Sequence, residues 1–333
     1  MNQVLEVDPE GMRVRAQPGI IMLALNDELN SHGLCVPLDP STADRCAIGG
    51  MLGNNAWGAH YLRDGSTRDH VVAVDAVLSD GSRVQFGPAN AELLQYKQEL
   101  NTREGEIYRT LHHLVDQHHS LILDRYPDSV PNNMGYALDL LAQSQPWVED
   151  GPCFNLAPFL CGSEGTLALV TEITFKLSPV PQKRVMVWGQ FPLLYDAFVA
   201  VPEILKSEPV ALELLDRYVL DAAFEHRLGH MEASWIKGNP EAVLMIEFED
   251  RPGVPASEQA QALIAAISSG SNIGNFSILD HDHAVRAWRL RRAGLGLPKP
   301  QRDEVELDWP PAEDRGVGLG RRAGDLLAGQ AEV

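Results

Sequence analysis

Positive charge is scarce in this chain. Against 46 Asp and Glu stand only 27 Lys and Arg, a formal net charge of −19 over 333 residues. A surface of that sign repels phosphate backbones and anionic lipid, which excludes nucleic acid and acidic membrane faces as principal partners. Long hydrophobic runs are absent too, so no transmembrane segment is expected. The opening residues, Met1, Asn2, Gln3 and Val4, carry neither a basic flank nor a long apolar core, and no signal peptide is expected. Cysteine is sparse: Cys35, Cys46, Cys153 and Cys161 contain no C-x-x-C pair. That argues against zinc, or any metal site, and for a reduced, cytoplasmic setting. No G-x-G-x-x-G follows a strand, which argues against a nicotinamide dehydrogenase. Neither a G-x-x-x-x-G-K-[ST] loop for a nucleoside triphosphate nor a G-x-S-x-G nucleophile elbow occurs.

What is present is glycine in one place. Residues 37–80 hold Gly49, Gly50, Gly53, Gly58 and Gly65, with Asn54 and Asn55 among them and a valine-rich run at 71–78 behind. Read as a loop, such a backbone approaches a large ligand closely and adopts positive φ. Its exposed N–H groups form anion-binding concavities, and Ser41, Thr42 and the Asn amides add donors. This suits a cofactor with phosphates and a flat ring. Ordinary tight turns, which Gly and Asn also dominate, remain the plain alternative.

A length of 333 residues and an apolar fraction of 44% allow about two packed domains. The periodicity predicts strands at 4–7 and 12–16 around a turn at 8–11, and a helix over 20–32 closed by Gly33. Strands follow at 71–78 and 83–86, then mostly helix over 90–122. His112, His113, His118 and His119 fall in that helical region; helical spacing permits metal ligation, but no carboxylate-rich motif frames them, and a polar helix face is the reading favoured. In a strand at 167–177, Leu167, Leu169, Ile173, Phe175 and Leu177 are expected on one face. After the break at Ser178, Pro179, Val180 and Pro181 come strands at 184–191, 210–215, 242–248 and 275–279, with helices at 196–206 and 257–268. That order predicts an α+β unit of the ferredoxin-like kind.

Two long motifs carry a resemblance. The first runs Asp39-Pro40-Ser41-Thr42, Cys46-Ala47-Ile48-Gly49-Gly50, Asn55-Ala56-Trp57-Gly58, Gly65-Ser66-Thr67 and Asp80-Gly81; the second is G-S-E-G-T-L at 162–167. Together they resemble the FAD-linked oxidases of the vanillyl-alcohol-oxidase type (the PCMH fold), in particular the D-lactate dehydrogenases and glycolate-oxidase flavoprotein subunits. The resemblance covers roughly residues 1–297. It implies an incomplete PCMH-type FAD-binding domain over 1–181, an incomplete ferredoxin-like cap domain over 182–297, and an out-of-family or disordered tail over 298–333.

It also implies FAD as cofactor, held by Ser41, Cys46, Ile48, Gly49, Gly50, Asn54, Asn55, Ala56, Gly58, Gly65, Gly162, Glu164, Gly165 and Thr166. The implied parent reaction is hydride transfer to FAD from a small 2-hydroxy acid such as D-lactate, glycolate or D-2-hydroxyglutarate, with an unspecified electron acceptor. The stretch 126–141 resembles a family segment ending G-Y-x-L-D beside the flavin, with Asn132 and Asn133 where relatives carry basic residues. Tyr136 is a candidate to touch substrate or flavin and equally an amphipathic core tyrosine. Residues 287–296 resemble the family's W-x-x-R-x-A-G-L-G helix end, which makes Arg291 a second candidate. The family's first phosphate loop has no counterpart in the sequence, nor have its His-rich motifs. The chain is therefore expected to be a fragment, deficient in catalysis alone, with a non-catalytic chain or a flavin-binding module without turnover as the alternative. A cytoplasmic location, or one peripheral to the inner membrane, is expected.

Overall fold

The computed structural model describes residues 1–127, 135–181, 183–225, 231–270 and 274–294. The chain divides into two compact units, Met1–Val180 and Pro181–Val333.

In the first unit the elements run β1 (Val4–Asp8), β2 (Arg13–Ala16), α1 (Met22–Leu29), β3 (Leu34–Cys35), α2 (Ile48–Asn54), α3 (Tyr61–Asp64), α4 (Thr67–His70), β4 (Val71–Val77) and β5 (Arg83–Phe86). Then come α5 (Ala91–Glu99), α6 (Arg103–Arg125), α7 (Leu138–Ala142), α8 (Ala157–Leu160), β6 (Leu169–Lys176) and β7 (Ser178–Pro179). Five strands make an antiparallel sheet in the order β1-β2-β6-β4-β5. Gly11 N–H donates to Asp8 Oδ1 at 2.8 Å and closes the β1–β2 turn. Helix α1 places Met22, Leu25 and Leu29 in the core, and Gly33 ends the following 3₁₀ turn at φ 69°. Asn26 then pins the outgoing chain through both amide atoms, to Val36 N at 2.9 Å and Val36 O at 3.0 Å.

Two bulges shape the centre of the sheet. Between β4 and β6 the register skips at Val72 and again at Thr171. Each bulge is held by a side chain: Asn155 Nδ2 donates to Val72 O at 3.0 Å, and Thr171 Oγ1 donates to Asp75 O at 3.1 Å. An extra residue reverses the side-chain alternation. Ile173, Phe175 and Leu177 are buried, whereas Leu169, beyond the bulge, is 65% exposed. The expected single apolar face over 167–177 is therefore broken in two.

Helices α5 and α6 begin on side-chain caps, Asn90 to Leu93 N and Thr102 to Gly105 N. The histidines of α6 have packing roles or face water. His112 lies 4.8 Å from the Trp147 ring, His119 pairs with Ala142 O at 2.9 Å, and His113 and His118 are exposed. Among the described residues no group of three or more His, Cys, Asp or Glu is arranged to hold a metal.

The second unit contains β8 (Arg184–Phe191), α9 (Leu194–Leu205), β9 (Ala211–Asp216), α10 (Arg217–Glu225), β10 (Ala242–Glu249), α11 (Ala256–Gly270), β11 (Asn275–Ile278) and α12 (His281–Gly294). Its sheet, in the order β11-β8-β10-β9, is antiparallel throughout. With α9 after the first strand in the chain and α11 after the third, that is the ferredoxin-like arrangement, to which α10 and α12 are added after the second and fourth. Strand β10 is buried along almost its whole length because the sheet is covered on both faces. Val187, Phe191, Leu244, Ile246 and Phe248 pack with Ala197, Ile204, Ala260 and Leu263, while Met186, Trp188, Val243 and Met245 pack with Leu220, Ala223, Ala287 and Leu290. The second cover includes α10, which the sequence periodicity does not predict. No described helix is long and apolar enough to cross a membrane.

Candidate functional site

The glycine-rich stretch is not a loop at its centre. Ile48, Gly49, Gly50, Met51, Leu52, Gly53 and Asn54 form helix α2, which corrects the sequence expectation. Ile48, Met51 and Leu52 supply the reason: they bury one face in the core, and burial outweighs the low helix propensity of three glycines. The first two N–H groups of α2 are taken up by the protein itself. Ile48 N–H donates to Ile20 O at 3.0 Å and Gly49 N–H to Pro18 O at 2.8 Å. A Cβ on Gly49 would stand 2.7 Å from Pro18 Cβ, so this glycine lets the chain's own backbone close in.

At its other end α2 meets the second glycine turn. The last carbonyls of a helix need partners from outside it, and here the turn supplies them. Gly162 N–H donates to Leu52 O and Glu164 N–H to Gly53 O, both at 2.9 Å. The two motifs, more than a hundred residues apart in sequence, thus share one surface. Three glycines keep part of it open: an added Cβ on Gly50 or Gly165 would meet nothing within 4 Å, and one on Gly53 only Glu164 Cα at 4.0 Å. Gly165 (φ 73°) and Glu164 (φ 51°) make the turn left-handed. Beside it, the Tyr136 and Thr166 hydroxyls pair at 2.9 Å, and Thr166 Oγ1 also donates to Ser163 O.

Under this surface lies Arg68. Its N–H donates to Asn55 Oδ1 at 2.8 Å, and its Nη2 donates to Cys161 O at 2.7 Å. Asn55 is 2% exposed and sits at φ 50° as the cap of α2. Burial pushes the Cys161 thiol up to about 12, with the nearby guanidinium of Arg68 acting in the opposite direction.

Gly58 and Gly65 answer to protein neighbours. A Cβ on Gly58 would come within 2.5 Å of the Asp39 carbonyl carbon and oxygen. The Asp39 carboxylate in turn holds buried His60, accepting from its N–H at 3.3 Å and pairing with Nδ1 at 2.6 Å. Gly65, at φ 68°, faces Asp69, whose Oδ2 accepts Ser66 N–H at 2.7 Å and starts α4. Trp57 is 41% exposed and makes an edge contact with Tyr61 at 6.1 Å. Burial raises the Tyr61 hydroxyl pKa, with the Asp69 charge adding to it.

The sequence candidates therefore separate by role. Gly50, Asn54, Glu164, Gly165 and Thr166 are exposed. Gly49, Gly58, Gly65 and Gly162 face their own chain, Ile48 is fully buried, and Asn55 is a structural cap. Ala56 accepts both Thr67 N–H and Thr67 Oγ1 through its carbonyl; Ser41 and Cys46 are half-buried in the preceding turn. Arg291 belongs to the second unit, where its Nε donates to Glu213 at 2.9 Å; Trp288 Nε1 likewise donates to Glu247 at 2.8 Å. The W-x-x-R pattern thus docks α12 on the sheet. Asn132, Asn133 and the tail 298–333 lie outside the described residues. Sequence reading missed Arg68 and the Asp39–His60 pair. The Ser66-Thr67-Arg68-Asp69 sequence, a helix-start pattern ahead of a strand, was the available signal for Arg68. The open space at Gly50, Gly53 and Gly165 lets a flat ring approach the backbone closely.

Comparison with known proteins bears on the family and the cofactor. Residues 1–87 match the FAD binding domain family, and residues 180–306 match the C-terminal domain family of FAD linked oxidases. The chain belongs to the FAD-linked oxidases, and FAD is the family's cofactor. It is 28% identical over 324 residues to the D-2-hydroxyglutarate dehydrogenase of Pseudomonas putida, spanning 95% of this chain and 32% of that protein. It is 24% identical to glycolate oxidase subunit GlcD of Bacillus subtilis (89% of this chain, 50% of that one) and 26% identical to the D-lactate dehydrogenase of Archaeoglobus fulgidus (93% and 55%). The chain thus spans about a third to a half of the length of these relatives. A solved structure of alkyldihydroxyacetonephosphate synthase shares the fold, with TM-score 0.56 and 18% identity, covering 88% of this chain and 45% of that one.

Proposed function

We propose that this chain is the flavin-holding part of an FAD-dependent oxidoreductase that oxidises a small 2-hydroxy acid, D-2-hydroxyglutarate, D-lactate or glycolate. The observation that carries the reading is the meeting of the two glycine motifs at Leu52, Gly53, Gly162 and Glu164. The names of the relatives support the substrate class. The chemistry FAD supplies when bound is acceptance of a hydride from the substrate's α-carbon. What the chain contributes is contact and orientation. Gly50, Gly53 and Gly165 let a flat ring reach the backbone, and Trp57 provides an apolar wall. Thr166, fixed by Tyr136 and Ser163, presents an oriented hydroxyl. Four cysteines with no disulfide among them suit a reduced, cytoplasmic compartment.

A flavin-holding module without turnover is the second reading. It is favoured because the two side chains the sequence offered for catalysis are engaged within the protein, Tyr136 by Thr166 and Arg291 by Glu213. Titration of FAD into the purified chain and into Gly50→Val tests the site. Open space at Gly50 leaves the fold intact, so the variant should lose FAD affinity at least tenfold with an unchanged circular dichroism spectrum. Equal affinity would overturn the reading. Dye reduction with each hydroxy acid in excess FAD then separates the enzyme from the module.

A further inference from the structure

We infer that Arg68 is a positioning residue for the flavin: it lies across Gly162 and locks the second glycine turn onto the end of α2, and so sets the shape of the surface the ring meets. The inference rests on the FAD reading of that surface. Three observations support it. Arg68 reaches both halves of the site, through its backbone N–H to Asn55 Oδ1 at 2.8 Å and through Nη2 to Cys161 O at 2.7 Å. Gly162 is left-handed at φ 87°, and a Cβ there would stand 3.1 Å from Arg68 Nη2, so the guanidinium occupies the space that only glycine leaves open. Finally, the two backbone bonds of the docked turn, Gly162 N–H to Leu52 O and Glu164 N–H to Gly53 O, lie next in sequence to the Arg68 anchor at Cys161.

The arrangement gives the half-buried Arg68 cation a task beneath the patch, as the donor that holds the Cys161 carbonyl. A charged donor to a carbonyl is among the stronger hydrogen bonds. Losing it releases the carbonyl at Cys161 and frees the turn to leave α2. Gly50 and Gly165 would then no longer share a fixed surface.

The test compares the full chain with Arg68→Gln, Arg68→Lys and Gly50→Val. Two readouts are taken: FAD affinity from flavin fluorescence, and amide hydrogen exchange over residues 161–166 without FAD. In Arg68→Gln the exchange at Gly162 and Glu164 should accelerate at least tenfold. FAD affinity should fall about as far as in Gly50→Val, and Arg68→Lys, which keeps a cationic donor of similar reach, should recover most of both. Gly50→Val should leave the exchange unchanged. Wild-type exchange and affinity in Arg68→Gln, beside a weakened Gly50→Val, overturn the positioning role alone. Faster exchange in Arg68→Gln with wild-type affinity in every variant shows a structural clasp that no flavin meets; it overturns the site reading and this inference with it. Recovery absent in Arg68→Lys while Arg68→Gln is defective in both readouts assigns the effect to the shape of the guanidinium and counts against a role carried by the cationic tie.

Discussion

The two units solve the packing problem in opposite ways. In Met1–Val180, glycines and buried polar groups let backbone meet backbone: Gly49 against Pro18, Gly58 against Asp39, and the 162–165 turn against Leu52 and Gly53. In Pro181–Val333, side chains fill both faces of one sheet, and polar anchors such as Trp288 to Glu247 and Arg291 to Glu213 fix the last helix. Backbone contact leaves surface without Cβ atoms, which a flat ligand can use. Side-chain packing leaves an ordinary apolar interior. The difference places the candidate site in the first unit on physical grounds.

The largest effect that would break this contrast comes from adding one methyl group to a glycine in each unit. In Gly58→Ala the new Cβ stands 2.5 Å from backbone atoms of Asp39, which cannot rotate away. The loss should reach about 3 kcal/mol, at the upper end of overpacking. In Gly189→Ala the nearest atoms, at 2.6 and 2.9 Å, belong to the Phe276 ring, a partly buried side chain on the edge strand β11 that can turn. About 1 kcal/mol is expected there. Denaturant titration followed by unit-resolved hydrogen exchange measures both, and equal losses would erase the distinction.

That same distinction governs what could be read in advance. Strands β4 and β5 and the four strands and helices α9 and α11 of the second unit were legible, because alternation and helical spacing are local properties of sequence; α10 was not. The family motifs were legible as strings. What the glycines within them do was not: Gly49 and Gly58 are glycine because of Pro18 and Asp39, and such pairings over tens of residues leave no local trace. Helix α2 was hidden for a related reason, since Ile48, Met51 and Leu52 override propensity only once the core exists. The bulge at Thr171, which turns Leu169 outward, depends on register with β4. Nothing local to Arg68 signals that it reaches Cys161, 93 residues on.

A second effect, intermediate in size, sharpens the comparison by pH. Burial raises the ionisation of the Cys161 thiol to about 12, and it raises that of the Tyr108 hydroxyl as well; both belong to the first unit. In each case the folded state holds its proton to higher pH than the unfolded state does. The stabilisation is therefore complete at neutral pH and is lost as pH rises from about 8.5, the ordinary cysteine range, toward 12. Unit-resolved exchange should show the first unit losing protection before the second on alkaline titration. Cys161→Ala should flatten part of that slope. Thiol labelling at pH 8 gives the companion result: Cys161 should react last, after half-buried Cys35, Cys46 and Cys153. Early labelling of Cys161 would show that its turn opens readily.

The smallest effect lies in how helices are started. In the first unit Asn90 caps α5, its Oδ1 accepting Leu93 N–H at 2.9 Å. In the second, Asp280 caps α12, its Oδ1 accepting His283 N–H at 2.8 Å. Asn90→Ala should cost about 1 kcal/mol, equally at every pH, because an amide does not titrate. The cap at Asp280 does titrate: the His283 N–H, and then the His283 side chain, hold the carboxyl below its ordinary range. A lowered folded value means that the contribution is present above the unfolded value, about 4, and is lost as pH falls through the folded one. Asp280→Asn keeps an acceptor without a charge. Its helix should match the wild type in melting below pH 3 and be less stable than it at pH 7, where the wild-type carboxylate also favours the positive end of the helix. If the two proteins differ by the same amount at both pH values, the Asp280 charge has no part in holding α12 and its cap is no different in kind from that of Asn90.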